Sequence, residues 1–390
     1  MDVIHLLAQT IELGGSDLHL KVDSPPRVRV DGVLVPLDEP VITDDDTETV
    51  LHIVTQRTPR KYEHFVNTGD LDTAYSAPGV GRFRVNGFRQ KGSISFAFRY
   101  VPALVPTLDS LGLPNGVRRL ADEHRGLILV TGVTGSGKTT TLAAMIDHIN
   151  KTRQQHIVTL EDPIEIVHTD SSSIVQQREI GLDVDSFHEG MRRVLRQDPD
   201  VILIGELRDE ESARTALQAG ESGHLVLSTM HTIDARETIG RMIELFPPDK
   251  QLLVRQIMGN VLRGVISQRL IPQVDGGRVA AVEVMVNTAR IAEMIRDPAK
   301  TDGITKAIEE GRVHDMQTFQ QHLVSLVLDG IVDEDTAGAA ATNRHDFELA
   351  LGRAQRAQQA AAQAAENGND DQAGRLLRAT GAHSLRVSGS

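Results

Sequence analysis

The sequence predicts an α/β protein whose larger domain contains a parallel sheet and whose smaller, N-terminal domain is of the α+β type. The first observation is length, since 390 residues exceed what one hydrophobic core usually organises. The second is that short apolar runs alternate with helix-like segments from about residue 115 onward, as in a parallel sheet covered on both faces. The third is that residues before about 100 alternate apolar and polar side chains, as half-buried antiparallel strands do.

The smaller domain is assigned to residues 1–100. Its predicted strands are 17–22, 27–35, 81–88 and 93–99. Residues 44–54 are predicted to form a helix, because their acidic first turn suits the positive end of the helix dipole. Three prolines then fall within residues 101–114, which predicts an irregular linker between the domains.

The larger domain is assigned to residues 115–332. Its predicted strands are 127–131, 156–160, 201–204 and 225–229, with helices between them. Beyond residue 235 the pattern predicts mostly helix. Residues 333–390 are rich in Ala and Gln and offer little apolar surface, so this tail is predicted to be largely disordered, above all in its last ~25 residues, with a frayed helix as the alternative.

Composition excludes several classes of protein. The longest apolar runs are far shorter than a membrane span, and the absence of cysteine excludes disulfides and thiolate zinc sites. The first residues lack the features of a secretory signal, so the chain is expected to stay in the cytosol. A net charge of -13, no Trp and only three Tyr argue against a nucleic-acid-binding surface with aromatic stacking.

A complete phosphate-binding loop, Gly-Val-Thr-Gly-Ser-Gly-Lys-Thr, occupies residues 132–139 between a predicted strand and a predicted helix. Its glycines let backbone N–H groups point at phosphate oxygens, while Lys138 reaches the β- and γ-phosphates and Thr139 ligates Mg²⁺. A glycine-rich turn without a ligand would explain the glycines but not the Lys-Thr pair at this offset. The residues predicted to bind a nucleoside triphosphate are Gly132, Thr134, Gly135, Ser136, Gly137, Lys138, Thr139 and Thr140.

Two acidic strand ends are predicted to point toward this loop, because ligands bind beyond the carboxyl ends of parallel strands. One strand leads to Glu206, a carboxylate that can order the water shell of Mg²⁺ or polarise an attacking water. Another leads to Glu161 and Asp162, whose adjacent charges favour a nearby cation. The alternative is that Asp162 caps a helix beginning at Pro163 while Glu161 faces solvent.

A histidine pair, His224 and His231, brackets the strand 225–229 and is the third strand end predicted to point toward the loop. A neutral imidazole there can sense the γ-phosphate by hydrogen bonding and relay its loss to a neighbouring helix. The alternative for each histidine is a purely structural role.

These stretches together resemble one family. The phosphate loop, the acidic segment 160–165, the segment 195–209 and the histidine pair are similar to those of the type II/type IV secretion ATPase superfamily, most of all to its retraction branch, the PilT/PilU branch. The resemblance covers about residues 1–330. It implies a RecA-like P-loop NTPase core preceded by a PAS-like α+β domain.

The resemblance also implies function and partners. It implies a homohexameric motor that hydrolyses ATP with Mg²⁺ to drive type IV pilus retraction and twitching motility. The implied partners are an inner-membrane platform protein of the PilC type and a second PilT/PilU paralogue, and no nucleic acid is expected. The implied location is the cytoplasm, peripherally at the inner face of the cell membrane.

Carried over to this sequence, the resemblance assigns Thr139, Glu206 and Glu161 to the metal. Glu206 is assigned control of Mg²⁺ and water and Glu161 is its partner, although which glutamate is the general base stays open. The implied catalytic residues are Glu206, Glu161, His231, His224, Arg84 and Arg99. Arginines of the N-terminal domain stabilise charge on the transferring phosphoryl group, and Arg82 could replace either named arginine. The alternative for any one of them is a solvated charge on an edge strand.

Other functions stay open at this stage. Residues 287–297 match the helical signature of retraction motors only in part, which keeps a PilU-like accessory ATPase as an alternative. A pilus or secretion assembly ATPase is less favoured, because the chain lacks the cysteines of the zinc subdomain and begins close to the PAS-like domain. A ring that binds nucleotide without hydrolysing it is disfavoured by the two glutamates. A nucleic-acid translocase is disfavoured by the scarcity of aromatic residues.

Overall fold

The computed structural model describes residues 1–101 and 105–366, which form two compact units. The first unit comprises Met1–Val105, Glu161–Thr169 and Gln177–Ser186, and the second comprises Pro106–Leu160, Asp170–Gln176 and the chain from Phe187 onward. The smaller unit therefore takes in two segments from the middle of the chain, which the assignment to residues 1–100 did not include. Residues 105–114 form no helix or strand, and residues 102–104 of the predicted linker lie outside the described residues.

The first unit is built on an antiparallel sheet of six strands in the order β3-β2-β1-β6-β5-β4. Its elements are α1 (Val3–Glu12), β1 (Asp17–Lys21), β2 (Arg27–Val30), β3 (Val33–Pro36), α2 (Asp44–Thr55), α3 (Pro59–Thr68), β4 (Asp70–Ala77), β5 (Gly81–Gln90) and β6 (Ser93–Val101). One core, centred on Phe65, Phe83, Phe96 and Phe98, lies between the sheet and the helices. The predicted acidic helix is confirmed as α2, and the aspartate at its third position completes a capping box with Thr43.

The predicted strand 27–35 is wrong as a single element, because it is a hairpin. Strands β2 and β3 pair in antiparallel fashion around Asp31 and Gly32. These two residues have φ angles of 48° and 83°, which is the positive-φ pair that a two-residue hairpin turn requires. An Asp-Gly pair inside an alternating stretch is the sequence signal for such a turn.

The second unit is built on a seven-stranded mixed sheet in the order β13-β12-β7-β11-β10-β8-β9, in which the last residue of β8 and the last three residues of β9 belong to the first unit. Its elements are α4 (Asn115–Ala121), β7 (Gly126–Thr131), α5 (Lys138–Thr152), β8 (His156–Glu161), β9 (Ile174–Glu179), α6 (Phe187–Val194), β10 (Val201–Ile204), α7 (Glu210–Glu221), β11 (Leu225–Met230), α8 (Ala235–Glu244), α9 (Gln251–Val261), β12 (Leu262–Pro272), β13 (Arg278–Val286), α10 (Ala289–Arg296), α11 (Ile304–Glu309), α12 (Phe319–Leu328), α13 (Glu334–Ala340) and α14 (Arg344–Glu366). Strands β8, β10, β11, β7 and β12 run parallel, and the four predicted strands are confirmed as β7, β8, β10 and β11. Across the described residues, every helix is too short or too polar to cross a lipid bilayer.

The prediction of mostly helix beyond residue 235 is wrong for residues 262–286. This segment forms the long antiparallel pair β12 and β13, and β12 also pairs with β7. Most of its side chains are buried on both faces. A strand covered on both faces lacks the period-two alternation by which half-buried strands are recognised, so a short apolar run does not distinguish it from a buried helix.

The predicted disorder of the tail is wrong as far as residue 366, because residues 334–366 form the helices α13 and α14. Phe347, Leu351 and Ala354 recur at helical spacing on α14 and are buried in a second core with Phe319 and Leu323 of α12. The apolar stripe is narrow and includes alanines, so the composition of this segment does not predict a helix that packs in a core. Residues 367–390 of the predicted tail lie outside the described residues.

We expect Phe347→Ala to lower the free energy of unfolding by about 3 kcal/mol, because it removes a fully buried aromatic ring and leaves a cavity. Leu349→Ala is the matched control on the same helix, since Leu349 is 48% exposed. Urea unfolding followed by circular dichroism measures both variants. Equal effects of the two substitutions would show that α14 is not part of the folded core.

Candidate nucleotide-binding and hydrolytic site

The phosphate loop connects the buried strand β7 to the helix α5 within the second unit. Gly135 has a φ of +79° with open space where a Cβ would lie, and Gly137 caps α5 with a φ of +89°. The cap residue makes no side-chain hydrogen bond to the first turn of α5, so the helix terminus is suited to an anion. The buried Ser136 Oγ lacks a hydrogen-bond partner among the described residues, and Lys138 Nζ donates to the carbonyls of Gly132 (2.7 Å) and Val133 (3.1 Å).

The register of the parallel strands places Glu206 and His231 at the edge that carries the phosphate loop. Thr131, the last residue of β7, pairs with Met230, the last residue of β11. Ile204, the last residue of β10, pairs with Ser228 of β11. Gly132, Glu206 and His231 follow these strand ends by one or two residues, so the predicted convergence of these three positions is confirmed.

Two side chains, those of His231 and Arg208, contact the carboxylate of Glu206. One carboxylate oxygen lies 3.3 Å from His231 Nε2, and the other accepts hydrogen bonds from the Arg208 guanidinium at 2.8 Å. The backbone carbonyl of Gly205 accepts from Thr229 Oγ1 at 2.7 Å, which fixes the turn that leads to Glu206. Arg208 was missed by sequence reasoning, although its fixed offset of two residues from Glu206 could have suggested a local ion pair.

His224 lies at the opposite edge of the sheet, and its predicted position beside the phosphate loop is wrong. It immediately precedes β11, and its carbonyl accepts from the N–H of Gly126 at the start of β7. The six residues of β11 lie between His224 and His231, so seven steps of extended chain place the two histidines about 23 Å apart. Its Nδ1 atom lies 3.0 Å from Ala219 O and from Ser222 Oγ, at the end of α7, so within this chain its role is to cap that helix.

Glu161 ends strand β8 and is buried, and the alternative that placed it in solvent is wrong. Its Oε1 atom accepts a hydrogen bond from Gln177 Nε2 at 3.1 Å. No helix begins at Pro163, since residues 162–173 are irregular, so Asp162 is not a helix cap. Gln177 was also missed by sequence reasoning, because its contact with Glu161 depends on how a distant strand folds back.

Arg84 and Arg99 of the first unit lie directly opposite each other on β5 and β6. Both are well exposed, at 47% and 68%, and both line a cavity of about 500 Å³. Two like charges facing each other on neighbouring strands are unfavourable unless anions compensate them. Glu165 lies 3.9 Å from Arg84, and Asp17 accepts from Arg99 Nε at 2.8 Å.

The electrostatics of this cavity are set by its arginines. Burial would raise the pKa of Asp17, but hydrogen bonds from Ser16 and Arg99 outweigh burial and hold the pKa of Asp17 below its usual value. Burial, followed by the charge of Arg29, lowers the pKa of nearby His19. The cavity therefore carries ionised groups at neutral pH, with two exposed guanidinium groups suited to an anionic ligand.

Arg82 also lies in the first unit, on the same strand and face as Arg84. It differs in its surroundings, because its NH2 group donates to the carboxylate of Glu179 at 2.6 Å. Arg82 is 17% exposed and Glu179 is 5% exposed. Arg82 therefore differs from Arg84 and Arg99 in that its charge is paired with a buried carboxylate, and its suggested exchange with either of them stays a prediction.

Two residues of the second unit fit a binding site for Mg²⁺. Among residues 1–101 and 105–366, no group of three acidic or histidine side chains forms a protein-only metal cage. Mg²⁺ in phosphate-transfer sites is held instead by a hydroxyl or one or two carboxylates, together with phosphate oxygens and waters. Thr139 in the first turn of α5 and the carboxylate of Glu206 at the same edge fit that mode of binding.

A buried carboxyl group, Glu283 of β13, accepts a hydrogen bond from Ala235 N at 2.9 Å, at the start of the helix that follows His231. Burial raises the pKa of Glu283 to about 7, assisted by the nearby charge of Asp234 and opposed by that hydrogen bond and by Arg269. Because this pKa lies above the usual 4.5, the stability that protonation supplies is complete below pH 4.5 and is lost as the pH rises through 7.

We therefore expect Glu283→Gln to raise the free energy of unfolding at pH 8 by on the order of 3 kcal/mol, because glutamine keeps the acceptor for Ala235 without a buried charge. The gain should disappear near pH 5, where the carboxyl group of the wild type is protonated. Denaturant titrations at several pH values measure this difference. A gain that does not vary with pH would contradict the assignment.

Comparison with known proteins agrees with this arrangement. The family model described as "Type II/IV secretion system protein" matches residues 113–360. The type IV pilus retraction ATPase PilT of Pseudomonas aeruginosa is 42% identical over 348 residues, which cover 89% of this chain and all of that protein. The type IV pilus ATPase PilU of the same organism is 37% identical, over 90% of this chain and 91% of that protein.

A solved structure described as the pilus retraction motor PilT with bound ADP superposes with a TM-score of 0.82 at 41% identity, covering 90% of this chain and 99% of the other. Since the sequence match spans nearly the full length of both proteins and the α/β fold is shared, the likeness is not confined to a common nucleotide-binding loop. The chain belongs to the type II/IV secretion system protein family, and within that family to its PilT/PilU branch.

Proposed function

We propose that this protein is an ATP-hydrolysing motor that drives the retraction of type IV pili. The observation that carries the proposal is the shared strand edge of the second unit, where the phosphate loop, Glu206 and His231 follow strands in fixed register. A loop alone accounts for nucleotide binding. A carboxylate in contact with a histidine at the same edge is a means of activating water, which binding alone does not need.

The proposed roles are divided among these residues as follows. The N–H groups at the start of α5 and the Lys138 ammonium bind phosphate oxygens, and Thr139 would hold Mg²⁺, which would supply positive charge against the phosphates. Glu206 orients or deprotonates the attacking water. His231, which contacts Glu206, responds to its charge and stands at the start of the chain that leads into α8.

Glu161 is proposed as the acidic partner of Glu206, and Arg84 with Arg99 as the groups that stabilise charge on the transferring phosphoryl group. Support comes from the burial of Glu161 and from the exposure of two facing guanidinium groups on the first unit. The resemblance to hexameric motors favours a homohexamer that works at the inner face of the cell membrane against a platform protein of the PilC type.

A PilU-like accessory ATPase is the second candidate, and helix α10 is the observation that favours it. Its isoleucines, Ile291 and Ile295, are buried and serve packing, so they carry little information about partners. The helix keeps these isoleucines and the final arginine of the retraction signature but lacks its first arginine and its asparagine, and this partial match is what keeps the second candidate open. The higher identity with PilT than with PilU favours the retraction motor.

Deletion of the gene with microscopy of surface pili tests the proposal. Hyperpiliated cells that do not retract are expected, together with ATP hydrolysis by the purified chain. Bald cells would indicate a role in assembly, and cells with normal retraction would indicate an accessory role. Absence of hydrolysis by the purified, assembled protein would contradict the proposal at its base.

A further inference from the structure

The acidic loop, residues 161–168 of the first unit, is held in place by side chains from one face of β9. Gln177 Nε2 donates to Glu161 Oε1 at 3.1 Å and to Ile166 O at 2.8 Å, and Gln177 Oε1 accepts from His168 N at 2.8 Å. One amide group therefore binds both ends of the loop. A period of two along a strand puts Gln177 and Glu179 on the same side, facing the loop together.

Glu179 completes this frame. Its Oε2 atom accepts from Ile164 N at 3.2 Å, and the neighbouring Ile180 N donates to Glu161 O at 2.9 Å. A buried carboxylate is costly unless a cation and hydrogen bonds compensate it. The compensating cation is Arg82, at 2.6 Å.

We propose that Arg82 is a positioning residue for Glu161, acting through the buried Glu179 and the acidic loop. The inference rests on the proposed ATP-hydrolysing function of the site. Without the guanidinium, the Glu179 carboxylate has to recruit water or move away, and the backbone of Ile164 loses its fixed acceptor. Because Gln177 and Glu179 share one strand, displacement of one shifts the other, and the Glu161 carboxylate loses its geometry.

Arg82 thereby has a different task from Arg84 on the same strand. Arg84 is exposed and faces the cavity, where a ligand can reach it. Arg82 is bound to a buried carboxylate and acts on the position of another residue. The sequence Arg-Phe-Arg presents two similar side chains to one face, and only the placement of Glu179 separates their roles.

The test is Arg82→Gln in the full chain, with hydrogen exchange of the nucleotide-free protein and steady-state ATPase kinetics as two separate readouts. We expect amide exchange in peptides covering the acidic loop to become at least about tenfold faster, because the acceptor of Ile164 N is no longer held. We expect kcat to fall about 10- to 100-fold, as displacements near 1 Å do, with the KM for ATP within about threefold of wild type. Arg82→Lys, which keeps a positive charge beside Glu179, should return both quantities to within about threefold.

The matched control is Arg60→Gln, which breaks an exposed ion pair with Asp185 in the same unit and should change neither readout. If Arg82→Gln does not fold, the double variant Arg82→Gln/Glu179→Gln removes both buried charges. Neutral amide hydrogen bonds are roughly half as strong as charge-assisted ones. In the double variant, amide exchange of the acidic loop is therefore expected to be at least about threefold faster than in the wild type, and kcat at least about threefold lower.

Unchanged exchange of the acidic loop, or faster exchange spread evenly over the first unit, would overturn the positioning role. An unchanged kcat of Arg82→Gln, measured beside an active wild type, would also overturn the positioning role. That result would leave the proposed function standing. An inactive wild type would overturn the proposed function, and the positioning role with it.

Discussion

Replacing Glu206 with glutamine is expected to lower ATP turnover by at least about 10²-fold while nucleotide affinity stays within a few fold. Glutamine keeps the size of the side chain and an acceptor for Arg208, but it cannot take a proton from water or carry charge toward Mg²⁺. The loss therefore falls on the chemical step and not on binding, which depends on the phosphate loop. Single-turnover hydrolysis together with binding of a fluorescent nucleotide separates the two quantities.

The matched control is Glu221→Gln. Glu221 is exposed at the end of α7, next to the opposite edge of the sheet, so its neutralisation should leave turnover within about twofold. Similar turnover for Glu206→Gln and the wild type would show that another group activates water. Glu161 is then the first carboxylate to replace, since it is the other acid assigned to the metal.

Replacing Arg84 or Arg99 with alanine is expected to lower turnover by about 10²-fold or more, with nucleotide affinity changed by less than tenfold. A guanidinium that stabilises charge on a transferring phosphoryl group acts chiefly in the transition state, so its removal lowers kcat. Arg27→Ala is the control, because Arg27 is an exposed arginine on the same sheet. Steady-state kinetics together with nucleotide-binding measurements distinguish a role in the transition state, which lowers kcat, from a role in nucleotide binding, which lowers affinity.

Arg99 needs one further comparison, because its loss leaves the buried Asp17 without its cation. Asp17 keeps a hydrogen bond from Ser16 at 2.7 Å, but the pKa of Asp17 should rise once Arg99 is removed. The double variant Arg99→Ala/Asp17→Asn removes this complication. A double variant with wild-type turnover would show that Arg99 only balances Asp17, whereas a persistent loss supports a role toward phosphate.

The phosphate loop and its neighbours could be read from sequence because their signals are local. Lys138 and Thr139 stand at a fixed offset from the glycines, and continuous apolar runs of three or four residues mark strands of a covered parallel sheet. Once the sheet is parallel, the residue after each strand end must lie at one edge. This rule placed Glu206 and His231 correctly, and it excludes His224, which stands before its strand.

Residues whose role depends on a distant partner could not be read in this way. Arg82 and Arg84 have the same sequence context, yet only Arg82 meets a buried carboxylate, 97 residues away in the chain. The alanine-rich segment after residue 333 is weakly apolar by itself, and it becomes a helix because Phe347 and Leu351 are buried against α12. The strands β12 and β13 likewise lack an alternating pattern because both of their faces are covered.

The sequence by itself determined that this chain carries a nucleotide-binding strand–loop–helix unit with an acidic strand end beside it. Such motifs are set by covalent spacing and by the backbone freedom of glycine, both of which are properties of short segments. Only the tertiary structure decided which charged side chains are available for chemistry and which are committed to structure. Burial and ion pairing depend on residues brought together from far along the chain, and these contacts give Arg82, Glu161 and His224 their separate environments.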